Sequence, residues 1–239
     1  MVQNTKANIY TYSLKSKSNF SCRIIEQQLD GMLLSIDNSE IWTKLIGKFN
    51  ASNILAIYSV GRIYNLDKIN LLTGISNLES VVGRLQSFLS INKVTVIIDY
   101  AHTPDAIENV ISTINNIKKS NQNLITVIGC GGDRDKDKRP IMGKISTDLS
   151  SRVIFTSDNP RSEDPQSIID DMVKGVSNFN NDKVLIEVER KKAIKQAKEN
   201  SVKGDIVLIA GKGHEDYQEL RNNKRVYFCL LYTSPSPRD

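Results

Sequence analysis

The sequence predicts an α/β fold with a mainly parallel sheet flanked by helices, and three observations lead to it. From Lys93 onward, short apolar runs rich in β-branched residues alternate with amphipathic stretches of helical length. Connections of this length are typical of right-handed crossovers between buried parallel strands. Each unusual polar segment directly follows one of the apolar runs, where functional loops lie in such sheets.

Five apolar runs are the predicted strands of this sheet. They are residues 94–99, 124–129, 153–157, 184–188 and 206–211. Four polar segments follow four of these runs, namely DYAHTPD, GCGGDRDKDKRP, SDNPRSEDP and GKGHEDYQ. Because the carboxyl ends of parallel strands share one edge of a sheet, the four segments are predicted to converge on one site.

The stretches between the strands carry helix signals. Thr103 is a suitable N-cap and Pro104 suits the first helical position. Residues at helical spacing then form one apolar stripe: Ile107, Val110, Ile111, Ile114 and Ile117. Further helices are predicted over residues 140–149, over a basic stretch at 189–200, and after Asp164-Pro165. The last of these carries the apolar residues Ile168, Ile169, Met172, Val173 and Val176.

The first ninety residues give weaker signals. Residues 50–53 are predicted to form a loop leading into a helix, and the boundary between two domains is predicted near residues 88–92. Residues 1–40 match no motif. The last eleven residues, CLLYTSPSPRD, match a sequencing-adapter end translated in one frame, so residues 229–239 are predicted to be a non-native tail.

Composition narrows the class of protein. The chain is 39% hydrophobic and 25% charged, with a net charge of +5 and scattered lysines, which does not indicate a nucleic-acid partner. Three cysteines without metal-like spacing indicate a reducing compartment. We find no apolar run of membrane-spanning length and no signal-peptide pattern, so the expected location is the cytoplasm.

The sequence does not match either of two common phosphate-binding motifs. GCGGDRD begins as a dinucleotide-binding GxGxxG motif would, but Arg134 stands where the last glycine is required. No GxxxxGK[ST] loop occurs in the sequence. The two histidines, His102 and His214, lie in strand-end loops beside carboxylates and either line the site or have structural roles. No serine or cysteine nucleophile partners them, and no zinc-ligand spacing is present.

The segment Asp158-Asn159-Pro160-Arg161 has the chemistry of an amino-acid binding loop. The Arg161 guanidinium offers a planar fork for a carboxylate, and Pro160 fixes the backbone that aims it. Asp158 or Asn159 is a suitable acceptor for an ammonium group. Arg134 and Glu215 repeat this pairing in neighbouring loops. The alternative is a capping turn with a surface salt bridge.

The four polar segments, in this order and spacing, resemble the Mur ligase family, and within it the MurE type. FNASN and VVGR resemble the end of the central ATPase domain of that family. The resemblance implies a Rossmann-like C-terminal domain over residues 91–228, preceded over residues 1–90 by the end of a P-loop-type α/β ATPase domain. It also implies an ATP- and Mg²⁺-dependent, monomeric ligase that joins a diamino acid to UDP-N-acetylmuramoyl-L-alanyl-D-glutamate through an acyl phosphate.

Roles for individual residues follow from the matched motifs. The resemblance implies that the nucleotide is bound by Asn50, Asn53, Arg84 and Asp99, with Asp99 near the ribose. It implies that the incoming amino acid is bound by Arg134, Asp158, Asn159, Pro160, Arg161, Gly211 and Glu215. It assigns no catalytic residue and no metal ligand.

Arginine at position 161 further implies meso-2,6-diaminopimelate as the amino acid, because lysine lacks a second carboxylate for the fork. Leaving the buried fork unpaired costs about 1–3 kcal/mol. The P-loop and the domain for the uridine nucleotide have no counterpart in the sequence, so a fragment inactive by itself is expected. The alternatives are a lysine-adding MurE, a folylpolyglutamate synthase-like ligase and a non-catalytic amino-acid-binding module.

Overall fold

The computed structural model describes residues 5–177 and 182–228, so the predicted non-native tail at 229–239 lies outside the described residues. The chain forms two compact units, Met1–Ser80 and Val81–Asp239. The units therefore separate earlier than the predicted boundary near residues 88–92. The reason is strand β5 (Gln86–Leu89), which pairs with β6 (Thr95–Asp99) of the second unit and so belongs to it.

The first unit is a small sheet covered by helices. Its elements are β1 (Tyr12–Ser13), β2 (Phe20–Gln28), β3 (Gly31–Ile36), β4 (Ser39–Thr43), α1 (Lys48–Ile63) and α2 (Lys68–Ser76). The strands lie in the order β1-β2-β3-β4, and β2, β3 and β4 are antiparallel. Alternate residues of β3 pack against the buried stripe of α1. They are Met32, Leu34 and Ile36 from the strand and Ile54, Leu55 and Tyr58 from the helix.

The predicted loop at residues 50–53 is wrong, because these residues lie in the first turns of α1. Gly47 precedes the helix at φ 92°, a left-handed conformation that suits glycine, and the helix begins at Lys48. Asn50 then donates from Nδ2 to the carbonyl of Ile46 at 2.8 Å, which ties the side chain to the helix entrance.

The second unit contains the predicted α/β fold, which is confirmed. Its remaining strands are β7 (Leu124–Ile128), β8 (Arg152–Phe155), β9 (Val184–Ile186), β10 (Ile206–Ala210), β11 (Tyr217–Glu219) and β12 (Arg225–Tyr227). Its helices are α3 (Pro104–Ile117), α4 (Lys138–Leu149), α5 (Pro165–Val173) and α6 (Arg190–Glu199). Helix α5 ends before Val176, which the predicted stripe had included.

The main sheet has the order β5-β6-β10-β7-β8-β9. All its pairs are parallel except β5 with β6. The chain moves in one direction from β7 to β9 and then returns to place β10 between β6 and β7. Right-handed crossovers therefore put α6 on the face opposite α4 and α5. Helix α6 packs by Ala193, Ile194 and Ala197 against strand residues such as Val127 and Ile209.

Two helices begin at caps in the site loops. Thr103 Oγ1 accepts the backbone N–H of Ala106 at 3.3 Å, and the Asp164 carboxylate accepts that of Ser167 at 3.0 Å. Both caps were predicted, and each fixes the point at which a strand-end loop turns into a helix. In the described part of the chain, no helix combines the length and apolar character needed to cross a membrane.

Candidate functional site

The carboxyl ends of β6, β7, β8 and β10 enclose a cavity of about 380 Å³ in the second unit. All four polar loops singled out in the sequence contribute to its walls. The lining residues include Tyr100, His102, Thr103, Gly129, Cys130, Gly131, Arg134, Asp158, Asn159, Arg161, Gly211 and Glu215. The four polar loops therefore meet at one cavity, as the sequence predicts.

Close approach of two loop backbones shapes this cavity. A Cβ atom on Gly132 would lie 2.0 Å from the carbonyl oxygen of Pro160, so only glycine fits there. Gly132 also donates its N–H to the carbonyl of Asn159 at 2.9 Å. Gly211 has φ 109°, and a Cβ there would lie 2.7 Å from Asp158 Oδ2. The two glycines thus let the β7 and β10 loops pack directly against the β8 loop.

A buried cluster of charges lies behind the cavity wall. Lys212 is fully buried and donates from Nζ to Asn159 Oδ1 at 2.7 Å, to the carbonyl of Tyr217 at 2.8 Å and to Glu215 Oε2 at 3.2 Å. Its Nζ also lies 3.8 Å from Asp158 Oδ1. One ammonium therefore joins the loops that follow β8 and β10.

Arg190, at the start of α6, supplies a second buried cation. It donates to the carbonyl of Ala210 at 2.6 Å and to that of Ser157 at 3.4 Å, and Nη1 lies 3.6 Å from Asp158 Oδ2. Two cations, Arg190 and Lys212, therefore face two carboxylates, Asp158 and Glu215. This balance offsets part of the cost of burying four charges.

Burial and pairing shift the pKa values of these groups in opposite directions. Burial lowers the pKa of Lys212 and of Arg190, while the nearby Asp158 carboxylate favours their charged forms. Burial opposes ionisation of Glu215, but the hydrogen bond from Asn159 at 3.0 Å and the charge of Lys212 outweigh it, so its pKa is lowered. Glu215 is accordingly an anion that faces the cavity.

Asp158 and Asn159 differ in the contacts that their side-chain oxygens already make. The carbonyl oxygen of Asn159 is already occupied by Lys212 Nζ and by the backbone N–H of Glu219 at 2.9 Å. By contrast, Asp158 Oδ2 is buried and accepts no hydrogen bond from the described residues. Of these two residues, Asp158 is therefore the one with a side-chain oxygen that has no hydrogen-bond partner among the described residues.

Arg161 reaches the cavity from a strained backbone position. It adopts φ 50°, in the left-handed region that non-glycine residues seldom occupy. Its Nε donates to Glu219 Oε2 at 3.0 Å and its Nη1 to the carbonyl of Gly132 at 2.8 Å. The preceding residue, Pro160, is buried, and its carbonyl accepts the N–H of Glu163 at 3.0 Å. Arg134 lines the cavity from the β7 loop with an exposed side chain.

The residues predicted to bind a nucleotide fall in both units. Asn50 and Asn53 belong to α1 of the first unit, where Asn53 is exposed. In the second unit, buried Asp99 accepts the backbone N–H of Leu85 at 2.8 Å and that of Ala101 at 2.7 Å, and burial raises its pKa. The guanidinium of Arg84 lies 4.8 Å from the ring centre of Tyr100.

The two histidines differ in their relation to the cavity. His102 lines it, and its Nδ1 lies 2.8 Å from the carbonyl oxygen of Tyr100. The ring of His214 lies 5.5 Å from that of Tyr100, and His214 is not among the lining residues. Burial raises the pKa of the lining thiol, Cys130, to about 12, so it is not a thiolate nucleophile.

Sequence reasoning missed the residues that support the site from behind. Lys212 lies inside a quoted motif, but nothing in the pattern indicates that its ammonium is buried. Arg190 opens a helix of basic residues and is indistinguishable there from its exposed neighbours. Tyr100 lies inside the quoted motif DYAHTPD and Glu219 directly follows GKGHEDYQ, but the contacts of both depend on the tertiary fold.

Comparison with known proteins identifies the family. The sequence profile described as "Mur ligase, glutamate ligase domain" matches residues 83–213, more than half of the chain. The chain belongs to the Mur ligase family. The matched Mur ligase region contains β6 to β10 and most of the cavity wall.

Curated Mur ligases named UDP-N-acetylmuramoyl-L-alanyl-D-glutamate--2,6-diaminopimelate ligase are similar to most of this chain. The protein from Bacteroides thetaiotaomicron is 47% identical over 224 residues, which are 94% of this chain and 46% of that protein. The protein from Bacillus cereus is 39% identical over 221 residues, or 91% of this chain and 44% of that protein. The chain thus spans about half the length of the curated relatives it matches.

Solved structures show the same fold. A structure titled as a UDP-N-acetylmuramoyl-L-alanyl-D-glutamate--2,6-diaminopimelate ligase matches 94% of this chain and 46% of its own, with a TM-score of 0.68 and 35% identity. A folylpolyglutamate synthase from Thermotoga maritima has a TM-score of 0.61 over 80% of this chain and 43% of its own. Since that identity is only 21%, the second likeness shows the fold alone.

Proposed function

We propose that this chain is the C-terminal part of an ATP-dependent ligase that adds meso-2,6-diaminopimelate to UDP-N-acetylmuramoyl-L-alanyl-D-glutamate in peptidoglycan synthesis. The observation that carries the proposal is that the Arg161 guanidinium and the Asp158 and Glu215 carboxylates all line one cavity. Cationic and anionic groups in the wall of one cavity suit an amino acid with more than one zwitterionic centre.

The second carboxylate of diaminopimelate explains why an arginine is needed. Arg161 binds this carboxylate, while Asp158 and Glu215 accept from ammonium groups, and Arg134 serves the other carboxylate. Lysine would leave the remaining N–H donors of Arg161 without a carboxylate, in a site where only a quarter of its side chain is exposed. A site whose polar groups stay unpaired rejects such an analogue strongly.

In the proposed reaction, the terminal phosphoryl group of ATP passes to the substrate carboxylate, giving ADP and an acyl phosphate. The amine of diaminopimelate then forms the new C–N bond as the C–O bond to phosphate breaks and the amine loses a proton. The role of this chain at that step is to bind and orient the amino acid. We assign no proton-transfer residue.

The proposal also includes nucleotide binding by four residues, Asn50, Asn53, Arg84 and Asp99. It further includes the origin of the first unit from an ATPase domain, a monomeric state and a cytoplasmic location. In the described residues, no group of three histidine, cysteine or acidic side chains gathers as metal ligands. Because Mg²⁺ is usually held by one or two carboxylates together with substrate phosphates, we assign it no ligand among these residues and derive no step through the ion.

The test is a ligation assay with the complete ligase that carries this chain. ADP release and tripeptide formation are measured with meso-diaminopimelate and with lysine, and a reaction without the UDP-linked substrate is the control. The proposal predicts that kcat/KM for diaminopimelate exceeds that for lysine by at least about 100-fold. Equal use of lysine, or no ligation of either amino acid, would reject it.

A further inference from the structure

We propose that Glu219 is a positioning residue that aims the Arg161 guanidinium and thereby sets the preference for an amino acid with a second carboxylate. This inference rests on the proposed function. It assigns a role to β11, a short strand outside the main sheet.

Three hydrogen bonds join Glu219 to the segment that ends at Arg161. The backbone N–H of Arg161 donates to the carbonyl of Glu219 at 3.1 Å, and the N–H of Glu219 donates to Asn159 Oδ1 at 2.9 Å. The third bond runs from Arg161 Nε to Glu219 Oε2 at 3.0 Å. Glu219 therefore fixes both the left-handed backbone of Arg161 and the plane of its guanidinium.

The bond from Nε decides which edge of the guanidinium remains for a ligand. An arginine has five N–H donors, on Nε, Nη1 and Nη2. Glu219 takes the one on Nε, and the carbonyl of Gly132 takes one on Nη1 at 2.8 Å. Within the described residues, Nη2 has no partner. The donors on Nη2 and the second N–H of Nη1 therefore remain for the carboxylate of a ligand.

Arg225 keeps Glu219 from cancelling the charge of Arg161. Its Nη2 lies 3.3 Å from Glu219 Oε1, across the antiparallel pair of β11 and β12. The Arg225 guanidinium also stacks on the ring of Tyr217, 4.3 Å from its centre. One carboxylate shared by two guanidiniums leaves a net charge of +1, which favours an incoming carboxylate.

Substitutions at position 219 distinguish two effects of Glu219, namely the orientation that it gives to the Arg161 guanidinium and the negative charge that it carries. Glu219→Gln keeps an oxygen that can accept from Nε but removes the charge. Glu219→Asp keeps the charge but shortens the side chain, so its oxygens no longer reach Nε in the same geometry. If Glu219 acts by positioning, kcat/KM for diaminopimelate in Glu219→Gln should resemble that of the wild type. The value in Glu219→Asp should resemble that in Glu219→Ala.

The experiment measures kcat and KM for meso-diaminopimelate and for lysine in the complete ligase. Glu219→Ala and Glu219→Asp are expected to lower kcat/KM for diaminopimelate roughly 10- to 100-fold, mainly through KM, and to leave the value for lysine unchanged. Glu219→Gln should recover most of the loss. Glu199→Ala, which removes an exposed glutamate at the end of α6, is the matched control.

Two results would overturn the inference while the proposed function stands. One is a wild-type enzyme that prefers diaminopimelate together with a Glu219→Ala variant that keeps or increases this preference. The other is an Asp variant that behaves like the wild type and a Gln variant that does not. If the wild type itself shows no preference for diaminopimelate, both the proposed function and the inference about Glu219 are rejected.

Discussion

Lys212 Nζ lies 2.7 Å from Asn159 Oδ1, and this contact joins the loops that follow two different strands of the main sheet. The same ammonium contacts Glu215 and lies near Asp158. The binding groups proposed for the amino acid are therefore held by a buried residue that does not line the cavity. The site is therefore held together by contacts that lie behind the cavity wall.

Replacing Lys212 by methionine is expected to destabilise the second unit by about 3 kcal/mol, because it leaves the Asp158 and Glu215 carboxylates with one buried cation instead of two. Urea unfolding followed by far-ultraviolet circular dichroism measures this change. The single tryptophan, Trp42, lies in the first unit and would not report on it. Lys195→Met, at an exposed lysine of α6, is the control and should have little effect. Equal stability of the two variants would contradict the account.

Acid should weaken the contact between Arg139 and Glu163. Two hydrogen bonds from buried Arg139, at 2.7 and 2.9 Å, lower the pKa of Glu163 from 4.5 to about 2. Because the folded-state pKa is the lower one, the stabilisation is fully present above pH 4.5 and is lost as the pH falls towards 2.

Glu163→Gln should therefore reduce the loss of unfolding free energy between about pH 5 and pH 2. Urea unfolding at several pH values measures this slope, and Glu199→Gln is the control at an exposed site. An unchanged slope in Glu163→Gln would show that Glu163 does not depend on Arg139 in this way. Glu163 also accepts the N–H of Asp133 at 2.7 Å, so the same pair holds the β7 loop.

Gly132→Ala should displace the β7 loop, because its Cβ would lie 2.0 Å from the carbonyl oxygen of Pro160. We expect a loss of stability of about 1–3 kcal/mol and weaker binding of diaminopimelate. Gly74→Ala in α2 is the matched control, since its Cβ would meet no atom within 4 Å. Alanine there should be neutral or stabilising by up to about 1 kcal/mol. Wild-type binding and stability in Gly132→Ala would refute the role given to this glycine.

The fold of the second unit was predictable because its signals are local. Apolar runs, the Thr103 and Asp164 caps and the polar loops after each strand all agree with one architecture. The predicted convergence of Arg134, Asp158, Arg161 and Glu215 follows from the rule that parallel strands share a carboxyl edge.

The sheet of the first unit was missed although one signal was present. Asp37 and Asn38, at φ 50° and 62°, form the turn between β3 and β4, and an Asp/Asn pair is typical of tight hairpins. The start of α1 was predicted too late in the sequence because asparagines favour loops. Only the conformation of Gly47 shows that the helix begins at Lys48.

The supporting residues could not be predicted. A lysine, an arginine and a glutamate after strands or at helix ends are normally solvated, and only the packed structure shows Lys212 and Arg190 buried against Asp158. The contact of Glu219 with Arg161 spans 58 residues and depends on β11 lying against the β8 loop.

The most direct test of the central claim is a calorimetric titration of meso-diaminopimelate into the complete ligase and into its Arg161→Ala variant. We expect the affinity for diaminopimelate to fall about 10- to 100-fold in the variant while nucleotide affinity is unchanged. Diaminopimelate binding to Arg161→Ala with wild-type affinity would contradict it.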